Sequence, residues 1–159
     1  MRICMKVGLG QDSHKFNIEK TDKKCVIGGV VFPDMPGLDA DSDGDVVYHA
    51  ICNAITSVTH VHILGDIAIQ MCKQGIKDSK EYLKKAKKSL GEKKISHLSI
   101  SLEGARPRMQ ASLLEMRKNI ARHLEIDESL VGITCTSGNS MGDFGKGIGL
   151  QCLCILTIF

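Results

Sequence analysis

Asp12 and His14 stand two positions apart in GLGQDSHKF (residues 8–16), just after an apolar run broken by Gly8 and Gly10. On a strand, positions i and i+2 point to the same side, so a carboxylate and an imidazole can converge on one point. The pair reads either as a polar turn closing a strand or as half of a metal site. The partner candidate is His49, at the end of SDGDVVYH. In that stretch Ser42 or Asp43 caps a helix, and Asp45 lies one turn before the histidine on the same helix face. Asp45 can hold the imidazole from behind or form a plain surface pair with it. Two histidines, one carboxylate and an open fourth position make a common catalytic zinc arrangement. His60-x-His62 has ligand-like spacing but reads better as a helix end, and His97 and His123 read as surface or half-buried positions.

Three further stretches suit an anion. The helix start beyond Ser42 offers N–H groups, a dipole and a hydroxyl to a phosphate, although Asp39, Asp41 and Asp43 oppose a free anion unless a cation neutralises them. EGARPRM (103–109) flanks Pro107 with Arg106 and Arg108, both able to fork onto phosphate. TSGNSMGDFGKGIG (136–149) supplies hydroxyls, glycine N–H groups and one lysine, Lys146. Taken singly, arginine-flanked prolines and glycine-rich loops are as often plain turns.

The elements that must carry these residues follow from periodicity. Residues 3–10 and 24–32 are short, β-branched and bounded by turn residues, as strands are. From Asp43, Val46, Val47, Ala50, Ile51, Ala54 and Ile55 recur at helical spacing. A second helix is expected over 79–90, a strand with imperfect alternation over 94–103, and a strongly amphipathic helix over 109–126. Two strands close the chain, 129–137 and 147–159, and the last is apolar on both faces, which suits a central strand or a subunit interface. The order β-β-α-α-β-α-β-β predicts an α+β layer, a mixed β-sheet with helices packed on one face.

At 159 residues the chain suits one domain, expected over 1–159, with an ordinary globular composition. A net charge of +3 is too small to argue for nucleic acid, and Trp is absent and aromatics scarce, so base-stacking platforms are missing. Lysines crowd residues 73–94, the pattern of a solvated helix face. Seven cysteines form no C-x-x-C pair and lie mostly in apolar segments, so they read as buried free thiols of a reducing compartment. With no apolar signal core and no run of transmembrane length, the expectation is a cytoplasmic protein with no membrane or nucleic-acid partner.

In order and spacing, VGLGQDSHKF, IGGVVFPDMPGLDADSDGDVVYHAICNAI, GARPRM, MRKNIARHL and TSGNSMGDFGKGIGLQC closely resemble the 2-C-methyl-D-erythritol 2,4-cyclodiphosphate synthase family. The resemblance covers nearly the whole chain, with residues 57–77 departing from it. It implies a ferredoxin-like two-layer sandwich that trimerises through its sheets, with active sites between neighbouring subunits. It implies cyclisation of 4-diphosphocytidyl-2-C-methyl-D-erythritol 2-phosphate with release of CMP, a step of non-mevalonate isoprenoid biosynthesis. It further implies zinc on Asp12, His14 and His49, and a magnesium or manganese ion bridging the substrate phosphates. Both reacting phosphates are already anionic, so metals that screen repulsion and hold an in-line geometry suffice without a strong base.

By the same resemblance, substrate contacts fall on Asp12, His14, Asp41 and Ser42, with Asp66 and Ile67 against the methylerythritol unit. Gly104, Ala105, Arg106, Pro107, Arg108, Met109 and Gln110 would form the cytidine pocket. Thr136, Ser137, Gly138 and Asn139 would flank the diphosphate, with Asp143 and Lys146 nearby, and Asp41 and Ser137 take the catalytic positions. The chain departs from the family pattern in places. Asp41 replaces a histidine, Ser137 a threonine, Asn139 a glutamate that commonly binds the second metal, Asp143 an aromatic and Lys146 an arginine, and the lid after LGDI is shorter and different. These departures leave open a trimeric protein that binds cytidine nucleotide or isoprenoid diphosphate without turnover; a structural zinc protein is a third, fold-neutral alternative. Lys146 is also a candidate for a feedback isoprenoid diphosphate.

Overall fold

A computed structural model describes residues 4–19 and 22–159; Ile3, where the first strand is expected to begin, lies outside them. Strand β1 (Lys6–Lys15) does not stop at the glycines but carries straight through Asp12 and His14. The expected strand over 24–32 is instead a hairpin of β2 (Lys24–Ile27) and β3 (Val30–Pro36). Gly28 and Gly29 turn it with φ of 58° and 73°. Two consecutive positive φ values match the twist of paired strands, and glycine adopts them without strain. The Gly-Gly pair is the signal that a one-strand reading misses.

Helix α1 (Val46–Thr59) starts two residues after Gly44, and neither Ser42 nor Asp43 caps it. Its cap is Asp45, whose carboxylate accepts from the Val47 and Tyr48 N–H groups. An irregular turn (Ile63–Ile67), α2 (Ala68–Lys73) and α3 (Ser79–Ser89) follow. Then come β4 (Ile95–Glu103), α4 (Leu113–Leu124), β5 (Val131–Thr136), the short α5 (Gly142–Gly145) and β6 (Gly149–Ile158). A register shift between Ile95 and His97 accounts for the imperfect alternation of β4.

The main sheet has the order β1-β6-β4-β5. β6 lies antiparallel to both neighbours, and β4 runs parallel to β5 through the α4 crossover. The result is an α+β layer with a mixed sheet. The doubly apolar β6 is central, as its composition predicts. The connectivity differs from the βαββαβ alternation of a regular ferredoxin-like layer, because β6 enters between β1 and β4 and leaves the parallel pair at one edge. Alternate residues Leu150, Cys152, Cys154, Leu156 and Ile158 are buried under the helices, with Leu98, Ile100 and Leu102 of β4 beside them. On the opposite face Val7, Leu9, Leu153 and Ile155 are exposed. Cys25, Cys52, Cys152 and Cys154 are buried free thiols, as expected, whereas Cys4 is exposed and Cys72 and Cys135 are half-buried. Burial lifts the Cys154 thiol to about 12. Among the described residues no helix is long and apolar enough to cross a membrane.

Gly8 and Gly10 share the helix-facing side of β1 with Asp12 and His14, because all four have the same parity on the strand. A Cβ on Gly10 would lie 2.0 Å from the Ala50 carbonyl oxygen and 2.3 Å from the Ala54 amide nitrogen. Helix α1 therefore rests directly on the β1 backbone, and Asn53 Nδ2 donates to the Gln11 carbonyl at 2.9 Å. A methyl at Gly10 must push the helix away. Gly10→Ala should lower stability by about 3 kcal/mol, read from the urea midpoint, and an unchanged midpoint would show that the contact yields freely.

Candidate metal centre and nucleotide cleft

Strand parity and the close approach of α1 bring the three expected ligands together. Asp12 Oδ2 lies 2.9 Å from His14 Nε2 and 2.9 Å from His49 Nδ1, and the two ring nitrogens are 3.3 Å apart. The cluster is the one group of metal-ligating side chains that converges among the described residues. A tetrahedral ion with bonds of about 2.0–2.1 Å separates its donor atoms by about 3.3 Å, close to the spacing seen here. One carboxylate and two imidazoles are also a borderline donor set suited to zinc. The arrangement therefore fits a metal, with the side away from the three ligands left to a fourth donor. Burial alone would raise the Asp12 carboxyl, but the hydrogen bonds and charges of His14 and His49 outweigh it and hold it at about 2.

Asp45 does not hold His49. Its fully buried carboxylate accepts from Gly28 N–H at 2.8 Å and Gly29 N–H at 2.7 Å, besides capping α1 through Val47 at 3.0 Å and Tyr48 at 3.2 Å. Burial, with the charge of Asp43, lifts this carboxyl to about 6 against those lowering donors. Two of its four bonds take the Val47 and Tyr48 N–H groups, which the sequence offers to a phosphate. The far side of His49 meets Ser79 Oγ at 2.9 Å and Ser42 Oγ at 3.3 Å. Nothing in the sequence links Ser79 to a histidine thirty residues earlier.

The cluster opens into a cleft of about 400 Å³ lined also by Asp41, Ser42, Asn53, Leu64, Gly65, Cys72 and Tyr82. Asp41 is exposed at its rim, while Ser42 is nearly covered and accepts from Gly44 N–H at 3.2 Å. Asp66 and Ile67 are not in this cleft; they line a separate hollow with Gln70, Met71 and Lys85. The turn at Leu64 and Gly65 presents the residues just before them instead.

The expected cytidine stretch forms a second cleft of about 370 Å³. Gly104, Ala105, Pro107, Arg108, Met109 and Gln110 line it with Cys135, Thr136 and Ser137. Backbone bonds tie its walls, Gly104 N–H to the Thr136 carbonyl at 3.0 Å and Ala105 N–H to the Phe144 carbonyl at 2.9 Å. Arg106 is turned elsewhere. Its Nε donates to the Gly147 carbonyl at 3.0 Å and its guanidinium lies over the Phe16 ring, 5.2 Å from the centroid, so it braces two loops and Arg108 is left as the cleft's arginine. Gly138 and Asn139 have positive φ, Ser137 Oγ accepts from Asn139 N–H at 3.3 Å, and Asn139, Asp143 and Lys146 are exposed.

Residues 5–159 match the model of the YgbB family. The chain is 52% identical over 155 residues to the 2-C-methyl-D-erythritol 2,4-cyclodiphosphate synthase of Chlamydia felis, covering 96% of this chain and 88% of that protein. It is 50% identical to the enzyme of the same name from Chlamydia muridarum, over 96% of this chain and 87% of that one. Among solved structures it is similar to the bifunctional IspDF of Campylobacter jejuni, with a TM-score of 0.86 at 25% identity; the match covers 97% of this chain but spans 42% of that one. The fold is also that of Plasmodium falciparum IspF in a CDP complex, with a TM-score of 0.82 at 24% identity over 98% of this chain and 96% of that one.

Two outcomes follow from these contacts. Asp45→Ala leaves four backbone donors without their acceptor and should cost about 3 kcal/mol or more, read by urea denaturation. The Asp12 carboxyl lies below its ordinary value in the folded chain, so its stabilisation is complete above about pH 4 and disappears as pH falls toward about 2. In metal-free protein the difference in urea midpoint between wild type and Asp12→Asn should shrink over that window, and a constant difference would contradict the assignment.

Proposed function

The chain belongs to the YgbB family, and from that membership we propose that it is a 2-C-methyl-D-erythritol 2,4-cyclodiphosphate synthase. It cyclises 4-diphosphocytidyl-2-C-methyl-D-erythritol 2-phosphate in isoprenoid precursor biosynthesis. An oxygen of the 2-phosphate bonds to the β-phosphorus of the diphosphate. The bond from that phosphorus to the bridging oxygen breaks, and CMP leaves with the electron pair. The reaction class is that of a phosphorus–oxygen lyase. The observation that carries this reading is the convergence of Asp12, His14 and His49 on one point beside an open cleft.

Asp12, His14 and His49 would hold zinc, and a magnesium or manganese ion would accompany the substrate phosphates. Bound, these ions supply positive charge that screens two anionic phosphates and steadies the leaving oxygen. The chain's own residues do the placing. Asp41 and Ser42 meet substrate at the metal cleft, and the Ile63–Ile67 turn receives the methylerythritol unit, with Leu64 and Gly65 lining that cleft and Asp66 and Ile67, which line a separate hollow, contacting it through the backbone of the turn. The 104–110 stretch receives cytidine, and Thr136, Ser137, Gly138 and Asn139, with Asp143 and Lys146, flank the diphosphate. Asp41 and Ser137 are the proposed catalytic positions.

Assembly as a homotrimer with sites between subunits is part of the proposal. Two observations support it. The metal cluster and the cytidine stretch line different clefts of one chain, so one substrate spans both more readily across a subunit boundary. The sheet also exposes Val7, Leu9, Leu153 and Ile155 on the face away from its helices, which a second copy would cover. A single domain over 1–159 and a cytoplasmic setting, the latter suggested by free thiols throughout, complete the reading.

With the cytidylated substrate, zinc and magnesium, the protein should release CMP and the cyclic diphosphate, and His49→Ala should abolish both. Product no greater than in that variant would overturn the assignment. Tight cytidine nucleotide binding without product would instead establish the second reading, a non-turning-over binder, which exposed Asp41 beside the metal cluster favours. Chelation should stop turnover while far-UV circular dichroism keeps its helical signal; unfolding on chelation would make the metal structural.

A further inference from the structure

Ser79 is fully buried at the start of α3, and its hydroxyl touches two groups, His49 Nε2 at 2.9 Å and Asp43 Oδ1 in a short hydrogen bond. The direction of the second bond settles that of the first. Asp43 Oδ1 already accepts from Asp45 N–H at 3.1 Å, and Oδ2 accepts from Ser79 N–H at 3.0 Å. Backbone N–H groups cannot reverse, so both carboxylate oxygens act as acceptors and the Ser79 proton goes to Asp43. Only lone pairs of the serine oxygen then face His49. Nε2 must therefore carry a hydrogen, and Nδ1 is the ring atom turned to Asp12 and His14.

We infer that Ser79 and Asp43 are the positioning pair of the metal centre, fixing the orientation of the His49 ring through its Nε2–H so that Nδ1 is presented to a metal. The inference rests on the metal reading above and adds α3 to it. Ser42 is the lesser partner, since it is longer at 3.3 Å and already accepts from Gly44 N–H. Asp45, one turn before His49, is committed to four backbone donors. The α3 start is itself pinned, because Asp43 N–H donates to the Lys77 carbonyl at 2.8 Å while the Asp43 carboxylate takes the Ser79 N–H. The metal centre is thus assembled from β1, α1 and the docked end of α3. Hydrogen-bond partners behind a metal-bound histidine fix its tautomer and tilt, and losing one typically weakens metal binding.

The test uses the full chain and zinc in competition with a chromophoric chelator. Ser79→Ala should bind zinc about 10–100-fold more weakly than wild type while its circular dichroism spectrum is unchanged. In the zinc-loaded wild type, the His49 Nε2–H should give a slowly exchanging NMR resonance that the variant lacks. Affinity within about twofold of wild type, or no such proton in the wild type, overturns the inference. Should the variant fail to fold, the wild-type resonance decides, its presence supporting the pair and its absence overturning it. A wild type that takes up no zinc removes the metal assignment itself, and the role of Ser79 with it.

Discussion

The close seating of α1 on the β1 backbone is the contact on which the site depends. Gly8 and Gly10 put no side chain between helix and strand, and strand parity then continues the same face into Asp12 and His14. His49 enters from the first turn of the helix that those glycines admit. A larger residue at either glycine would widen the gap between the strand's ligands and the helix's ligand. The spacing of Asp12, His14 and His49 is therefore a consequence of packing, and the apolar core beneath them, from Ala50 and Ala54 to Cys152 and Cys154, holds it.

The two later aspartates of SDGD do different work despite their nearness. Asp45 is buried and joins the β2–β3 turn to the start of α1 through four backbone donors. Asp43 ties the same loop to the start of α3. The loop between them is consequently braced from both sides, and Ser42 and Asp41 are displayed at the cleft by a segment with little freedom to shift. That bracing explains why polar, glycine-containing sequence here does not form a loose surface loop.

The second cleft is built by backbone pairing between the segments that follow β4 and β5. Arg106 strengthens this by bridging to Gly147 and Phe16, a structural use of a residue whose type also suits phosphate.

Much of the site was legible in the residues alone. The D-x-H pair, His49 on a helix of apolar residues at helical spacing and the doubly apolar final strand needed only strand parity, helical spacing and composition, which are local properties of a chain. The hairpin turn was also legible, in Gly28-Gly29, though the continuous apolar run on both sides masks the break. Other features could not be read, because they depend on which distant segments meet. Asp45 and Asp43 are alike in type and setting, and only folding decides that one caps α1 while the other holds Ser79. Ser79 reaches His49 because α3 docks against the loop after residue 40, and the orientation of Arg106 is set by a carbonyl forty-one residues away. Sequence periodicity determined the elements and their faces; the direction and ownership of each buried polar bond were decided by tertiary contact, since a donor or acceptor shut away from water must take whatever partner the fold places within reach.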